Sequence, residues 1–334
     1  LGEPDYVAES LPRAVAIGEG LYLRVVPRGH QHHRAPRSYL PAAICWVVGL
    51  ALRLPYVFDM RGFLGEEYVD AGTWAPDDLR YRALRMAERR LLRGAAEIVV
   101  LTHSGARRLR SEPRYIRDTR SKDITVIPCA VDLDRFRPPS SRSSIPTLVY
   151  SGSLGMWYLL DEMVSVYALA RETEPDLRFL FLNRNEHGLI RGAWERAGLP
   201  PDRLEIRAAD FGRVPSELGR AHVGIALLRR APSKVGSSPI KIAEYLACGL
   251  PVVVNEGLGD SDEQIRGADA GHVMRSYDPP ALATAGSAVV TLIRDAAAPG
   301  RARSLAEDVF DVRAGASAYD GVYRRLAGAT PPIQ

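Results

Sequence analysis

The stretch from Lys234 to Asp260, KVGSSPIKIAEYLACGLPVVVNEGLGD, reads as a loop, a helix, a tight turn, an apolar strand and a glycine-rich loop. Ser237 and Ser238 are residue types that cap helix N-termini, and Pro239 fits a first helical position, where its missing N–H costs nothing. Ile240, Ala243, Leu246 and Ala247 recur at helical spacing and predict a helix from about Pro239 to Cys248. Gly249 suits the position that ends such a helix, and Pro251 forbids its continuation. Val252, Val253 and Val254 form an unbroken β-branched run, the mark of a strand buried on both faces of a parallel sheet. The stretch is therefore half of a parallel α/β unit. Lys241 and Glu244 lie three residues apart and are expected on the polar side of the helix, near its anion-attracting N-terminal end.

SSPIKIAEYLACGLPVVV resembles the donor-site helix and strand of the retaining glycosyltransferases of family 4. The resemblance implies an α/β chain with the GT-B fold. Such a fold has two Rossmann-like domains with parallel sheets facing across a cleft, and a C-terminal helix crossing back to the first domain. It further implies that Glu244 holds the ribose hydroxyls of a nucleotide-sugar and that the helix N-terminus faces the diphosphate.

At 334 residues the chain is long enough for two domains, and 46% hydrophobic with 25% charged residues is ordinary for a globular protein. Cys45, Cys129 and Cys248 are widely spaced and odd in number, so a reducing compartment without a disulfide framework is expected. No run reaches 18 apolar residues and no signal peptide is read at the start, which gives a cytoplasmic expectation. The longest apolar run, Leu40 to Leu52, is expected to be a buried helix. Arginine outnumbers lysine 41 to 3, a bias of GC-rich coding, yet Lys234 and Lys241 both fall in the central stretch. A flexible ammonium suits phosphate as a point charge. Residues 1–145 carry 23 Lys+Arg against 17 Asp+Glu, or +6; the remainder, with 21 against 23, is −2.

The first thirty residues offer two short strand-like runs, Ala14–Ile17 and Leu21–Val26, without a glycine-rich loop feeding a helix. The family starts with more β-α units, so a first domain shortened at its start is expected. His30, His32 and His33 read as a solvated loop rather than a metal cluster. From Arg37 the chain reads as a loop, the helix to about Leu52, and a strand from Pro55 to Phe58. Asp59, Arg61 and Gly62 are expected after that strand, where α/β sheets hold ligands. DMRGF is similar to a motif in a family 4 branch acting on surface polysaccharides, which implies that Asp59 and Arg61 face the reaction. By the same resemblance Arg37 and Ser38 end a cleft-facing strand. Glu66 and Glu67 follow in what reads as a loop, open to solvent or to an acceptor, and Glu67 is the acceptor-side candidate. Asp77 and Asp78 can cap a helix from about Leu79 to Arg93 whose many arginines make a basic face. Thr102 or Ser104 can cap the next helix, and Ile124–Ile127 is expected as the last strand of the first domain. PCAVDLDRFRP resembles the family's interdomain signature, although Cys129-Ala130 replaces an Asn-Gly turn. Pro138 to Pro146 reads as the linker. The expected domains are residues 1–138, 139–300 and the returning segment 301–334.

In the second domain, Thr147–Tyr150 leads into Ser151-Gly152-Ser153, a turn whose backbone N–H groups can cradle phosphate before a helix from Leu160 to Arg171. Many family members carry an arginine and a lysine in this loop; here Ser153 and Tyr158 take their places. The diphosphate's charge is therefore assigned to Lys234 and Lys241. Gly236 stands where a further family glutamate is frequent. The donor-binding candidates are Gly152, Ser153, Lys234, Ser237, Ser238, Lys241 and Glu244, and the catalytic candidates are Asp59, Arg61 and Lys241.

The expected activity is transfer of a sugar, with retention, from a nucleotide-sugar to an acceptor hydroxyl on a sugar or lipid-linked molecule. Polysaccharide, glycolipid or glycoside biosynthesis would use it. No metal and no other cofactor is expected: Asp132-Leu133-Asp134 has metal-motif spacing but lies in the hinge signature. Nucleic acid is not an expected partner. The basic helix at Leu79–Arg93 gives a second localisation, peripheral on the inner face of a membrane. A nucleotide-sugar epimerase of the same fold, and a degenerate partner subunit without activity, are the alternatives.

Overall fold

The computed structural model describes residues 39–329. Arg37, Ser38, the three histidines at 30, 32 and 33, and the runs 14–17 and 21–26 lie outside the described residues. The chain divides into two units: one runs to Ile127 and resumes at Ala316, and the other is Pro128–Gly315.

The first unit holds α1 (Tyr39–Leu52), β1 (Val57–Met60), α2 (Leu64–Asp70), α3 (Leu79–Gly94), β2 (Glu97–Val100), α4 (His103–Ser111), α5 (Pro113–Thr119) and β3 (Asp123–Val126). Its three strands are parallel in the order β1-β2-β3. Local chemistry sets the helix starts: Asp78 accepts a hydrogen bond from Arg80 N, and Thr102 Oγ1 accepts one from Gly105 N. Two expectations are corrected here. The first strand is Val57–Met60, so Asp59 sits within β1 and not beyond it. Helix α1 forms, but it is not buried: Val47 is 57% and Leu50 65% exposed, while Tyr39, Ala42 and Gly49 are the side covered by protein. A helix apolar all round gives no periodicity from which to choose its inner side.

The second unit holds β4 (Thr147–Ser151), α6 (Leu160–Thr173), β5 (Arg178–Leu182), α7 (His187–Arg196), β6 (Leu204–Arg207), α8 (Val214–Leu218), β7 (Val223–Ala226), α9 (Ile240–Ala247), β8 (Val252–Asn255), α10 (Ser261–Gly267), β9 (Gly271–Met274), α11 (Pro279–Arg294) and α12 (Ala298–Val309). Its six strands are all parallel in the order β6-β5-β4-β7-β8-β9. The chain winds outward from β4 to β6, then restarts at β7 on the other side. That reversal between β4 and β7 is where a doubly wound sheet opens a crevice at its carboxyl ends.

Helix α9 is tied closely to this switch point. Gly224 of β7 has no side chain because the Tyr245 ring of α9 needs the space; a Cβ there would lie 2.4 Å from Tyr245 Cδ2. The helix ends as the sequence implies, with Gly249 at φ +67°, its N–H donating to Leu246 O and that of Leu250 to Tyr245 O. Its start differs. The helix begins at Ile240, neither serine caps it, and Ser238 Oγ instead accepts from Cys129 N at 3.3 Å.

The residues read as hinge and linker are built into the second unit. Val131 N donates to Phe310 O, and Arg303 Nη1 donates to Phe136 O and Ala247 O. Arg142 in turn donates to the carbonyls of Ala221, Cys248 and Gly249. Guanidinium groups bonded to several carbonyls hold this segment down, so the division falls at Ile127–Pro128, ahead of the Ser/Pro/Arg-rich stretch.

The last helix, α13 (Val312–Ala329), belongs to the first unit from Ala316 onward. Val322 is buried there with Val99 and Ile127, and Tyr319 and Leu326 pack around them. A buried valine contributes about 1.5–3 kcal/mol, enough to fix this helix to its sheet. Among the described residues no single helix is long and apolar enough to cross a membrane. The pair α11–α12 would suffice by length and composition, but it is bent by 96°.

Candidate functional site

At the switch point the loop after β4 meets α9. Gly152 adopts φ +105°, a conformation open to glycine, and a Cβ there would lie 3.4 Å from Lys241 Nζ. The loop is fixed from behind: Gly152 N donates to Leu182 O, and Ser151 N donates to Tyr245 Oη at 2.6 Å.

Lys241 points inward, not outward as the helical pattern suggests. It is 8% exposed, and its Nζ donates to Tyr150 Oη at 2.8 Å. Nζ lies 3.5 Å from the Tyr158 ring centroid and 4.0 Å from that of Tyr150. Tyr150 Oη passes the hydrogen bond on to Ser153 O at 2.7 Å. Lys234, 5% exposed, lies with Nζ 3.7 Å from the Trp157 ring centroid. Aromatic faces stabilise an ammonium by about 0.5–2 kcal/mol each, more as water is excluded. Tyr158 of the β4–α6 loop and Tyr150 of β4 thus bracket a lysine supplied by α9.

Burial sets the electrostatics. Desolvation lowers the Lys241 pKa well below its ordinary value, although Glu244 and Glu186 pull it upward. Glu244 is partly buried and its carboxyl is pushed up to about 7 by desolvation, against the pull of Lys241 and Arg135. A diphosphate entering here would restore to Lys241 the counter-charge that burial denies it.

Sequence reasoning missed Glu186. Its carboxylate accepts from Leu154 N at 2.8 Å, Gly155 N at 2.9 Å and Asn183 Nδ2 at 2.6 Å. It thereby occupies the N–H groups of Leu154 and Gly155, just beyond the turn. Of the Ser151-Gly152-Ser153 N–H groups expected to face phosphate, those of Ser151 and Gly152 are already given to Tyr245 Oη and Leu182 O. Desolvation of Glu186 is outweighed by these bonds and by Lys241, and its pKa is lowered. Tyr150 and Trp157 were missed as well. The Lys241–Tyr150 contact spans 91 residues, and no local pattern encodes such a pairing.

In the first unit Asp59 Oδ2 accepts from Tyr319 Oη at 3.2 Å and from Arg61 Nη1 at 3.3 Å. Its Oδ1 is buried and accepts no hydrogen bond among the described residues. Burial raises the Asp59 pKa, with Arg61 and then Tyr319 opposing. Tyr319 is a further residue that sequence reasoning did not reach, 260 positions away from Asp59. Gly62 takes φ +142°, and a Cβ on it would lie 3.1 Å from Glu67 Oε1. The neighbouring Glu66 is structural: it is buried, accepting from Arg114 Nη1 at 2.9 Å and Tyr115 Oη at 2.7 Å.

No family profile matches the chain. A D-inositol 3-phosphate glycosyltransferase from Nocardiopsis dassonvillei is 25% identical over 217 residues, covering 61% of this chain and 49% of that protein. The match thus spans about half the relative's length. Among solved structures, sucrose-phosphate synthase from Thermosynechococcus elongatus superposes with a TM-score of 0.65 at 20% identity, over 87% of this chain and 73% of that one. The fold is GT-B. Anabaena HepE, solved with UDP and glucose, gives 0.63 at 16% identity over 87% and 76%. A glycosyltransferase from Rickettsia africae gives 0.61 at 16% identity over 99% and 85%. The GT-B assignment agrees with the all-parallel sheets and with a terminal helix that returns to the first unit.

Proposed function

We propose that the chain is a retaining glycosyltransferase that takes a sugar from a nucleoside-diphosphate donor bound at the switch point of the second unit. The observation that carries this reading is the convergence of two buried lysines and one partly buried carboxylate there. Lys241 and Lys234 supply the positive charge for the diphosphate, and Glu244 accepts hydrogen bonds from the ribose. Ser153, Ser237 and Ser238 supply backbone and hydroxyl groups around them, and Gly152, whose own N–H and carbonyl are already bonded, lets the loop pass close to Lys241. In the reaction the bond between the anomeric carbon and the diphosphate oxygen breaks, and a bond from that carbon to the acceptor oxygen forms. The acceptor's proton leaves with the diphosphate or to solvent. The difficult moment is the build-up of charge on the departing diphosphate, and a preorganised ammonium in a dry site is effective against it. Asp59 and Arg61 are our catalytic residues in the first unit, with Glu67 on the acceptor side; Asp59 Oδ1 is buried, and its Oδ2 is held by Arg61 and Tyr319. The polysaccharide, glycolipid or glycoside context belongs to the same reading, supported by the resemblance of the α9 stretch and of DMRGF.

A panel of nucleotide-sugars tests this with the purified chain. A true donor at 100 times its dissociation constant stabilises by about 2.7 kcal/mol and is turned over. Absence of any stabilised nucleotide-sugar would contradict the reading. One rival, a partner subunit without activity, is favoured by the state of the β4–α6 loop: Tyr245 Oη, Leu182 O and the Glu186 carboxylate already hold the N–H groups of Ser151, Gly152, Leu154 and Gly155. Donor binding without hydrolysis, epimerisation or transfer would decide for that rival.

A further inference from the structure

The first unit has an open cavity of about 490 Å³ lined by Arg85, Arg89, Arg114 and Arg117, with Pro113 and Ile116 as its apolar wall. It lies between α3 and α5, well within the size range of small-ligand clefts. An arginine-rich chain has arginines everywhere, so their number alone carries nothing. What distinguishes this cavity is their arrangement. No carboxylate lines it, yet the carboxylates that hold the arginines stand immediately behind. Asp118 is almost fully buried and bonds Arg89 Nε at 3.1 Å, leaving Arg89 46% exposed. Buried Glu66 bonds Arg114 Nη1 at 2.9 Å, with half of the arginine side chain still in solvent. Arg85 pairs with buried Glu88, donates to Tyr115 Oη at 2.9 Å and stacks 4.5 Å over the Tyr115 ring centroid. Arg117 is exposed and makes no ion pair among the described residues.

Each buried carboxylate engages part of a guanidinium, Arg114 being held a second time through Nε by Glu112 at 3.0 Å, and the exposed remainder of Arg89 and Arg114 lines the cavity. Three planar forks are thereby fixed in place before a ligand arrives, and a fourth is free to close on it. Rigid forks match the paired oxygens of a phosphoryl group and lose little freedom in binding it. The exposed Ile116 beside them suits an organic body attached to that group.

We propose that this cavity is a binding site for a phosphate monoester, held by its phosphoryl group between Arg89, Arg114 and Arg117. The site is separate from the diphosphate site proposed in the second unit and does not depend on it.

The test uses the full chain and sn-glycerol 3-phosphate as the soluble probe, with calorimetry as the readout. Vesicles of phosphatidylcholine with and without phosphatidic acid offer the same group on a lipid. Arg117→Glu should weaken binding of whichever form is taken by about tenfold or more, since one favourable charge is replaced by an opposing one. Lys241→Ala should leave that binding unchanged. Arg191→Glu, at an exposed position of α7, makes the same change in net charge elsewhere and should weaken binding less than twofold. A melting temperature within a few degrees of the parent chain confirms that each variant folds. Binding of the soluble ester alone assigns the site to a soluble ligand, and sedimentation with phosphatidic acid vesicles assigns it to a lipid headgroup. Three results overturn the proposal: neither probe binds, Arg117→Glu binds like the parent, or Arg191→Glu loses as much as Arg117→Glu.

Discussion

Lys241 in the second unit and Arg114 in the first are both cations, and the protein treats them in opposite ways. Lys241 is buried between two tyrosine rings, with Tyr150 Oη as its hydrogen-bond acceptor and carboxylates acting only at a distance. Arg114 keeps half its side chain in solvent and is bonded directly to Glu66. Burial raises the energy of an unpaired charge, so Lys241 stores a demand for an anion; direct pairing removes that demand from one side of Arg114 and orients the other. The lesson is that a buried, under-compensated cation marks chemistry more sharply than a dense patch of exposed ones. The unequal charges of the two parts, +6 before residue 146 and −2 after it, point the other way.

The largest expected effect tests the buried side of this contrast. Lys241→Ala should lower kcat by about 10²–10³-fold, the loss typical of removing one preorganised donor at a developing negative charge, and should weaken ground-state donor binding less. Kinetics beside equilibrium binding separate the two. Equal losses would make Lys241 a plain binding residue. Retained activity would move its role to Lys234.

Glu244→Gln should weaken donor binding by roughly ten- to hundredfold, the loss of a charged hydrogen bond. The same carboxyl gives a signed pH dependence. Because burial pushes it up to about 7, donor affinity should rise as pH increases through about 7, and the glutamine variant should lose that dependence. Stability runs in the opposite sense. A carboxyl raised above its unfolded value contributes stability below about 4.5 that is lost as pH rises through about 7. Glu244→Gln should therefore raise the melting temperature of the free protein at about pH 8. A variant less stable than the parent at that pH would show that the carboxylate is better compensated than its burial implies.

Gly152→Ala sits between the two in size. A side chain at φ +105° costs about 1–3 kcal/mol of strain and crowds Lys241 Nζ, so stability and kcat should fall together. If kcat is unchanged despite the lost stability, the loop and the lysine do not act as one unit.

How much of this was legible in the sequence follows from the range of each interaction. The α9–turn–β8 unit, Gly249 at its helix end, and the caps at Asp78 and Thr102 are written within a few residues, and the structure has them where local chemistry requires. The side on which α9 is buried was not legible. Ile240, counted among the apolar stripe, is 42% exposed, while Lys241 and Tyr245 are inside. Hydrophobic spacing assumes that charge faces water, and a buried lysine breaks that assumption. Glu186, Tyr150 and Tyr319 escaped for a different cause: their roles depend on partners that only the folded sheet brings near. The exposed face of α1 escaped because an all-apolar helix gives no contrast to read.

A smaller effect is expected from chelation. With ammonium groups as the counter-charge, turnover in EDTA should stay within about twofold of the untreated value. An activity that EDTA abolishes and a divalent ion restores would assign the leaving group's charge to a metal, and the cation contrast would lose its meaning for catalysis.

The central claim is that Lys241 and its surroundings recognise a diphosphate. Calorimetric titration of a nucleoside, its monophosphate and its diphosphate into the parent chain and into Lys241→Ala tests it most directly. The diphosphate should bind the parent at least about tenfold more tightly than the monophosphate, as a desolvated charge contact requires, and Lys241→Ala should erase most of that preference while still binding the nucleoside. An equal preference in both proteins would contradict the account.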